Sequence, residues 1–535
     1  MTDPYRDSAL DLPADSPRDP GIVGDIVAQF ADPKAFLREL VQNAIDAGTP
    51  SVEIELEYDE PVRRMRVSVR DRGEGMTREI VENQLLVLFR STKEQDRTKI
   101  GKFGIGFVSV LAPEPEVVVV QTARAGRRIT LHLYRDLSYE LFDAGPATQT
   151  GTTVELEIAL ERGEVERFVR ECERSLERWC RHASVPIDLA IRTPAVTANR
   201  RVDRPLSIDG AIVEVRGTRD DGQLSVTVAL TADATPYVGF FNHGLTLYET
   251  REPLVGRLAI KIQDPRLGHT ISRDDVRRDE HFEQALGFAR YVARTELVRA
   301  ASNELYKAAE AHDLAQHRAL LVALAAAGIE LSRDALHLPV AEPIGGKRSL
   351  PAGALVEPYW TSERPSKLTA ALAEAGTPVV LAQDPDEVGR LLGETVRSAD
   401  RELTCITPID PTDDDEALLA LLADILDAAH RPPDAIVLAT LIGARADRLS
   451  IAGTHAELPH VVDREEAARD PFALLRRRVL VLSVAHPQVR AARRGDPVLA
   501  ASHLARAVLL QHRLLNEKRS RRIVEHALAR VGVDR

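Results

Sequence analysis

Three short motifs follow one another in the first fifth of this chain, and their order leaves very few folds open to it. The first is Glu39-x-x-x-Asn43-x-x-Asp46, in FLRELVQNAIDAG. The second is Asp71-x-Gly73-x-Gly75-Met76, in VSVRDRGEGMT. The third is Gly101-x-x-Gly104-x-Gly106-Phe107, in KIGKFGIGFVSVL. Any one of them is weak evidence on its own. Their order, spacing and flanking patterns are much harder to obtain by chance.

Residues 35–47 carry helical periodicity, with Phe36, Leu40, Ala44 and Ala47 as an apolar stripe. Glu39, Asn43 and Asp46, spaced by four and three, share another face of that helix. One face bearing two carboxylates and a carboxamide suits a hydrated metal and an activated water. It also suits an ordinary solvated stripe, and the segment by itself does not decide between them. Magnesium takes few protein oxygens, so Asn43 together with phosphate oxygens would be enough. Glu39 could then orient and deprotonate a water.

The second motif closes a strand whose alternation points Met65, Val67 and Val69 to one side. Glycines in the turn after it permit close backbone approach, and Asp71 at its mouth can accept from an exocyclic amine such as adenine N6. The third motif places three glycines before an apolar run. Consecutive backbone N–H groups there could form an anion-binding nest for phosphates. Together the three motifs predict an ATP site.

Rival nucleotide motifs fail. The glycine order differs from the GxGxxG dinucleotide fingerprint. The nearest string to a Walker A motif, Gly345-Gly346-Lys347-Arg348-Ser349, lacks the upstream glycine and the hydroxyl after lysine, and reads as a loop.

These residues resemble the ATPase superfamily of gyrase, heat-shock protein 90, histidine kinases and MutL, and within it the HtpG-like heat-shock protein 90 chaperones. RELVQNAIDA is similar to that family's helix, DRGEGMT to its DxGxGMT turn, and STKE with IGKFGIGFVSV to its lid and glycine loop. LSYELFDAGPATQTGTTVELEI is similar to its closing strands. The resemblance is dense over residues 21–160. It implies Glu39 as general base, Asn43 as magnesium ligand with Asp46 in the same polar network, and Asp71 reading adenine with Thr152 behind it through water. Gly101, Gly104, Gly106 and Phe107 would bind phosphates; Gly75, Met76, Asn83 and Lys93 would complete the nucleotide contacts. The implied cofactors are ATP and Mg2+.

Further on, GHTISRDDVRRDEHF is similar to a middle-domain segment whose arginine reaches the γ-phosphate. Ser272-Arg273-Asp274 matches it, so Arg273 takes the role of an arginine finger. The chain departs from the family at three places. Arg277 stands where a glutamine is usual, Gln84-Leu85-Leu86 replaces Asn-Leu-Gly, and the lid from about Asn83 to Lys99 is short. Slow turnover is therefore expected.

The resemblance implies an α/β chain with an N-terminal Bergerat-type ATPase domain, an α+β two-layer sandwich. An α/β middle domain and a divergent α/β C-terminal domain follow. The expected boundaries are a tail over 1–20, the ATPase over 21–195, the middle domain over 200–335 and the C-terminal domain over 350–535. Between 375 and 485, TPVVLA, LTCITPI, AIVLATL and RVLVLSV alternate with helical patterns, which predicts a largely parallel sheet. The amphipathic stretch from Val498 to Ala529 suits a dimer contact or a core helix equally. His486-Pro487 reads as an ordinary turn.

A net charge of −12 argues against a dedicated nucleic-acid binder. Cys172, Cys180 and Cys405 lack metal or disulfide spacing and read as reduced structural thiols. No apolar run approaches membrane-spanning length, and the acidic, proline-rich start has no signal-peptide core. The expected protein is cytoplasmic, acts on protein clients as a homodimer and makes no membrane contact. A nucleotide-gated scaffold and a MutL- or MORC-like role in DNA metabolism are the alternatives.

Overall fold

A computed structural model describes residues 34–86, 104–270, 275–344, 347–472 and 479–531. The chain forms two compact units, one up to Arg294 and one from Thr295.

Unit 1 begins with helix α1 (Phe36–Asp46), whose residues Phe36, Leu37, Leu40, Val41 and Ala44 are buried at helical spacing. It stops at Gly48, where φ is +70°. Left-handed backbone there lets the Gly48 and Thr49 N–H groups satisfy the last carbonyls, Ile45 and Ala44. Strands β1 (Val52–Asp59) and β2 (Arg64–Asp71) follow as a hairpin. The short helix α2 (Gly104–Val108) precedes β3 (Val117–Arg124), β4 (Arg127–Tyr134), β5 (Tyr139–Pro146) and β6 (Gly151–Ala159). Helix α3 (Val165–Cys180), β7 (Ile187–Arg192) and β8 (Thr197–Arg201) complete this part.

The strands form one sheet in the order β5-β4-β3-β6-β2-β1-β7-β8, antiparallel except for the β1–β7 pair. Period-2 alternation gives it two faces. Ile54, Leu56, Met65, Val67 and Leu156 join Phe36 and Leu37 of α1 and Phe168, Cys172 and Leu176 of α3 in a single core. Charged residues occupy the opposite face, where Arg66 pairs with Glu57 across the strands. The result is the expected two-layer sandwich.

A second sheet in the same unit comprises β9 (Ala211–Arg219), β10 (Leu224–Thr231), β11 (Tyr237–Asn242), β12 (Leu245–Thr250) and β13 (Ala259–Gln263), in the order β12-β11-β13-β10-β9. Helix α4 (Glu280–Val292) packs on it. A π turn, Ala293–Leu297, follows α4, and α5 (Val298–Ala311) comes next in unit 2.

The start of the second sheet is locked to the end of α3. Thr246 Oγ1 donates to Arg178 O at 2.7 Å, and Arg181 bonds Glu249 and the Tyr237 hydroxyl. Lys261, 5% exposed, donates to His182 Nε2 at 2.8 Å and to Ser207 O at 2.6 Å. Burial pushes the Lys261 ammonium down to about 8, and burial also holds His182 at about 4.

Unit 2 continues with α6 (Leu314–Ala327), β14 (His337–Ile344), β15 (Lys347–Pro351), β16 (Trp360–Ser362), α7 (Lys367–Glu374), β17 (Val379–Leu381) and α8 (Pro385–Leu392). Lys347–Ser349, expected in a loop, thus starts β15. Then come β18 (Leu403–Pro408), α9 (Asp413–Ala429), β19 (Ala435–Gly443), β20 (Ser450–Gly453), β21 (His460–Asp463) and β22 (Val479–Ser483). Helices α10 (Pro487–Ala492), α11 (Pro497–Gln511) and α12 (Glu517–Val531) close the described chain.

The sheet of β18–β22 is mixed, where the alternating pattern predicts it largely parallel. Only β19 and β22 run parallel in it; β18 pairs antiparallel with β19, and β20 and β21 pair antiparallel at the two edges. A strand–helix alternation does not reveal strand direction: β18 runs antiparallel to β19 across α9, and β20 and β21, four residues each, are too short to stand out in the sequence. They bring the chain from β19 to β22 through both edges in place of a single helical crossover. The stretch from 498 to 529 is two helices separated at 512–516. Helix α11 buries Ala501, Leu504, Ala505, Val508 and Leu509 in the core, so the core reading holds for that face, while Leu499 and Leu510 are exposed. His486 Nδ1 accepts the Gln488 N–H as N-cap of α10, with Pro487 at its first position. Cys172, Cys180 and Cys405 are buried and form no disulfide.

Candidate nucleotide site

In the three central strands, the inward apolar series end on polar residues at the same end of the sheet. Met65, Val67 and Val69 of β2 are followed inward by Asp71; Val118 and Val120 of β3 by Thr122; Ile158, Leu156 and Val154 of β6, read backwards, by Thr152. Thr122 faces Thr152 directly in the register. A polar trio therefore forms where the next apolar layer would have been.

Asp71 Oδ1 accepts the backbone N–H of Gly73 at 2.8 Å and of Thr152 at 3.2 Å. Burial raises its carboxyl above the ordinary range, and these two bonds oppose the rise. Thr122 Oγ1 accepts the Met76 N–H at 2.8 Å and lies 3.1 Å from Thr152 Oγ1. Thr152 reaches Asp71 through its backbone, a direct link in addition to the water-mediated one expected from the sequence.

The glycines of the second motif serve chain packing here. A Cβ on Gly75, whose φ is +69°, would stand 2.1 Å from Ala123 O; one on Gly73 would stand 2.6 Å from Ala47 O. These approaches clamp the turn against the end of α1 and the end of β3. Glu74 N–H donates to Ala47 O, and Arg72 N–H to Thr49 Oγ1.

Between α1 and the sheet lies a cavity of about 280 Å3. Asn43 and Asp46 line it from α1; Asp71, Gly75, Met76 and Thr152 from the strands and turn; and Phe107 from α2. Six residues named from the sequence, with Phe107 as a seventh, thus share one cavity. Gly104 and Gly106 lie on α2, so the second half of the glycine motif opens a helix. Glu39 is half-buried on α1, one turn before Asn43, and is not among the lining residues. Asn83, in the π turn Val81–Leu85, is exposed, and Gln84 and Leu85 line the cavity in its place. Lys93, Gly101 and Arg273 lie outside the described residues.

Three polar residues of this region, Thr122 beside the cavity and Glu74 and Arg124 on its wall, were not singled out from the sequence. Thr122 was legible as the next inward position of VVVVQTAR. Glu74 and Arg124, which pair at 2.7 Å at the cavity rim, carry no signal beyond the turn motif and a strand end.

Residues 32–141 match the family model of histidine kinase-, DNA gyrase B- and HSP90-like ATPases. The cavity and its polar trio fall largely inside that span. The N-terminal part of the chain is thus an ATPase domain of this superfamily. Chaperone protein HtpG of Porphyromonas gingivalis is 30% identical over 185 residues, which is 30% of this chain and 26% of that protein. HtpG of Methylococcus capsulatus is 30% identical over 124 residues, 18% of this chain and 19% of its own. HtpG of Bordetella parapertussis is 27% identical over 197 residues, 30% of this chain and 29% of its own. The chain spans less than a third of the length of the curated relatives it matches.

The stem that leads to Ser272-Arg273-Asp274 is described on both sides. Thr270 N–H donates to Asp275 O at 2.9 Å and Arg277 N–H to Gly268 O at 2.7 Å, with His269 bridged to Val276. The His269 ring contacts Arg38, the residue before Glu39. Arg277 bonds Asp279.

Among the described residues no three His, Cys, Asp or Glu side chains group as a metal site. Asn43 is a single oxygen donor on the cavity wall, which fits a cation that takes most of its ligands from phosphate and water. Among the described residues no helix is long and apolar enough to cross a membrane.

Proposed function

We propose that this chain is an ATP-dependent chaperone of the heat-shock protein 90 kind, in which nucleotide binding and hydrolysis drive closure on protein clients. The observation that supports it most is the state of Asp71. Both backbone N–H groups fall on Oδ1, so Oδ2 is the oxygen that can accept from a ligand. One oxygen matches the single exocyclic amine on adenine's pairing edge; guanine would present two adjacent N–H donors. Met76 and Phe107 supply apolar walls for the base.

Glu39, one turn from Asn43, orients the attacking water and takes its proton. Asn43 would hold the magnesium that arrives with ATP, which would supply neutralisation of the phosphate charge. Arg273, beyond the stem that touches Arg38, supplies positive charge at the γ-phosphate. Client binding, homodimer formation and a cytoplasmic setting come from the likeness to the HtpG chaperones. The test is suppression of aggregation of a heat-denatured model client. Suppression that needs ATP and is lost in Asp71→Asn is expected. A nucleotide-gated scaffold is the second reading, favoured by unit 2 lying wholly outside the matched span. ATP turnover without any client protection would favour it.

A further inference from the structure

One end of the β18–β22 sheet carries three arginines just beyond the two strands that flank β18. Leu403 opens β18, which lies between β19 and β21. On one side the Ala444 N–H donates to Leu403 O at 2.8 Å; on the other, Asp463 pairs with Leu403 in register. Neighbouring strands are about 4.8 Å apart, so residues 444 and 463 stand roughly 10 Å from each other. Arg445 and Arg464 follow them directly, and arginine side chains easily bridge that gap. Arg448 is folded back onto the first of them, its N–H donating to Arg445 O at 3.0 Å.

Gly443 sets the path of this loop. Its φ is +108°, and a Cβ there would stand 2.2 Å from Leu403 O. The loop also leaves β19 at the carboxyl end of the parallel pair β19–β22, where open α/β sheets place their ligands.

None of the three arginines forms an ion pair among the described residues, although Glu402 engages Arg397 and Asp463 caps the turn Arg464–Ala467. Arg445 is half-buried, and its Nε is buried without a hydrogen-bond partner among the described residues. Thr404 Oγ1, across from Gly443 in the register, is fully buried and likewise lacks one. Buried polar groups without partners call for an explanation, such as a bound ion. Burial and repulsion from Arg448 and Arg464 hold Arg445 below the ordinary arginine range, with Asp447 opposing.

We propose that Arg445, Arg448 and Arg464 form a binding site for a small, soluble, phosphate-bearing compound, separate from the nucleotide cavity. Guanidinium forks match phosphate oxygens bidentately. Three guanidinium groups, with Asp447 the carboxylate that opposes them at Arg445, suit a dianion better than a monocarboxylate. The loop Gly443-Ala444-Arg445-Ala446-Asp447-Arg448 has no large apolar side chain to enter a bilayer, which favours a soluble compound over a lipid headgroup.

Hydrogen–deuterium exchange on the full chain, with and without sodium pyrophosphate, tests this. Exchange over residues 443–449 slows in the wild type. The pyrophosphate concentration needed rises at least about tenfold in Arg445→Gln/Arg464→Gln. Arg448→Gln, at an exposed position, gives the same direction should the double variant fold poorly. Glu39→Ala keeps the protection, since the site is independent of ATP turnover. No slowing in the wild type, or slowing undiminished in these variants, overturns the site. Protection by phosphatidate vesicles but not by pyrophosphate overturns the soluble ligand.

Discussion

Asp71 is a carboxylate placed where strand alternation would otherwise put a fourth inward apolar residue, and the site is built outward from that exchange. Asp71→Asn replaces the charged acceptor for a ligand amine. We expect nucleotide affinity to fall by roughly ten- to a hundredfold by calorimetry, the loss typical of a charge-assisted bond. Thr122→Val removes the acceptor for Met76 N–H at nearly constant volume, and a weaker drop in the same titration is expected. Gly75→Ala puts a methyl 2.1 Å from Ala123 O. It should destabilise the ATPase domain by about 2 kcal/mol or more, read as a lowered thermal midpoint of residues 1–294.

At the scale of elements, α1, β2 and the glycine turn were legible because each has a period or a punctuating motif. α1 runs Phe36–Asp46 within the expected 35–47, and β2 extends the expected strand by two residues to Asp71. Lining residues such as Arg124 were not legible, because their place depends on which strands become neighbours. The strand order β3-β6-β2 is a long-range fact, and no local pattern encodes it. The same holds for strand direction in the β18–β22 sheet, where β18 is antiparallel to β19 and the short β20 and β21 add antiparallel pairs at both edges.

The junction of α3 with the second sheet yields a pH prediction. His182, held at about 4 by burial, with Lys261 and Arg181 adding repulsion, is neutral in the folded chain. Its folded value lies below the ordinary 6.5, so the stability it contributes is complete above 6.5 and is lost as pH falls through 4. The thermal midpoint of unit 1 should drop between pH 6.5 and 4, and His182→Gln should flatten that drop. In unit 2, Asp415 is 2% exposed, caps α9 through Thr412 and takes Arg493 in a two-point bond of 2.7 and 2.8 Å. Asp415→Ala should cost about 2–4 kcal/mol in the unfolding of unit 2 and leave nucleotide affinity unchanged.

For the whole molecule, two compact units on one chain make separable predictions. Residues 1–294 expressed alone should bind ATP, since every described lining residue of the cavity lies there. If the chain works as a dimer, its turnover per chain should rise with protein concentration.

The central claim is that the cavity under α1 is a working ATP site with Glu39 as its base. Magnesium-dependent ATP hydrolysis by the full chain, measured beside nucleotide binding for Glu39→Ala, tests it most directly. The account predicts binding close to wild type with turnover cut by about a hundredfold or more. Turnover in Glu39→Ala equal to wild type would contradict it.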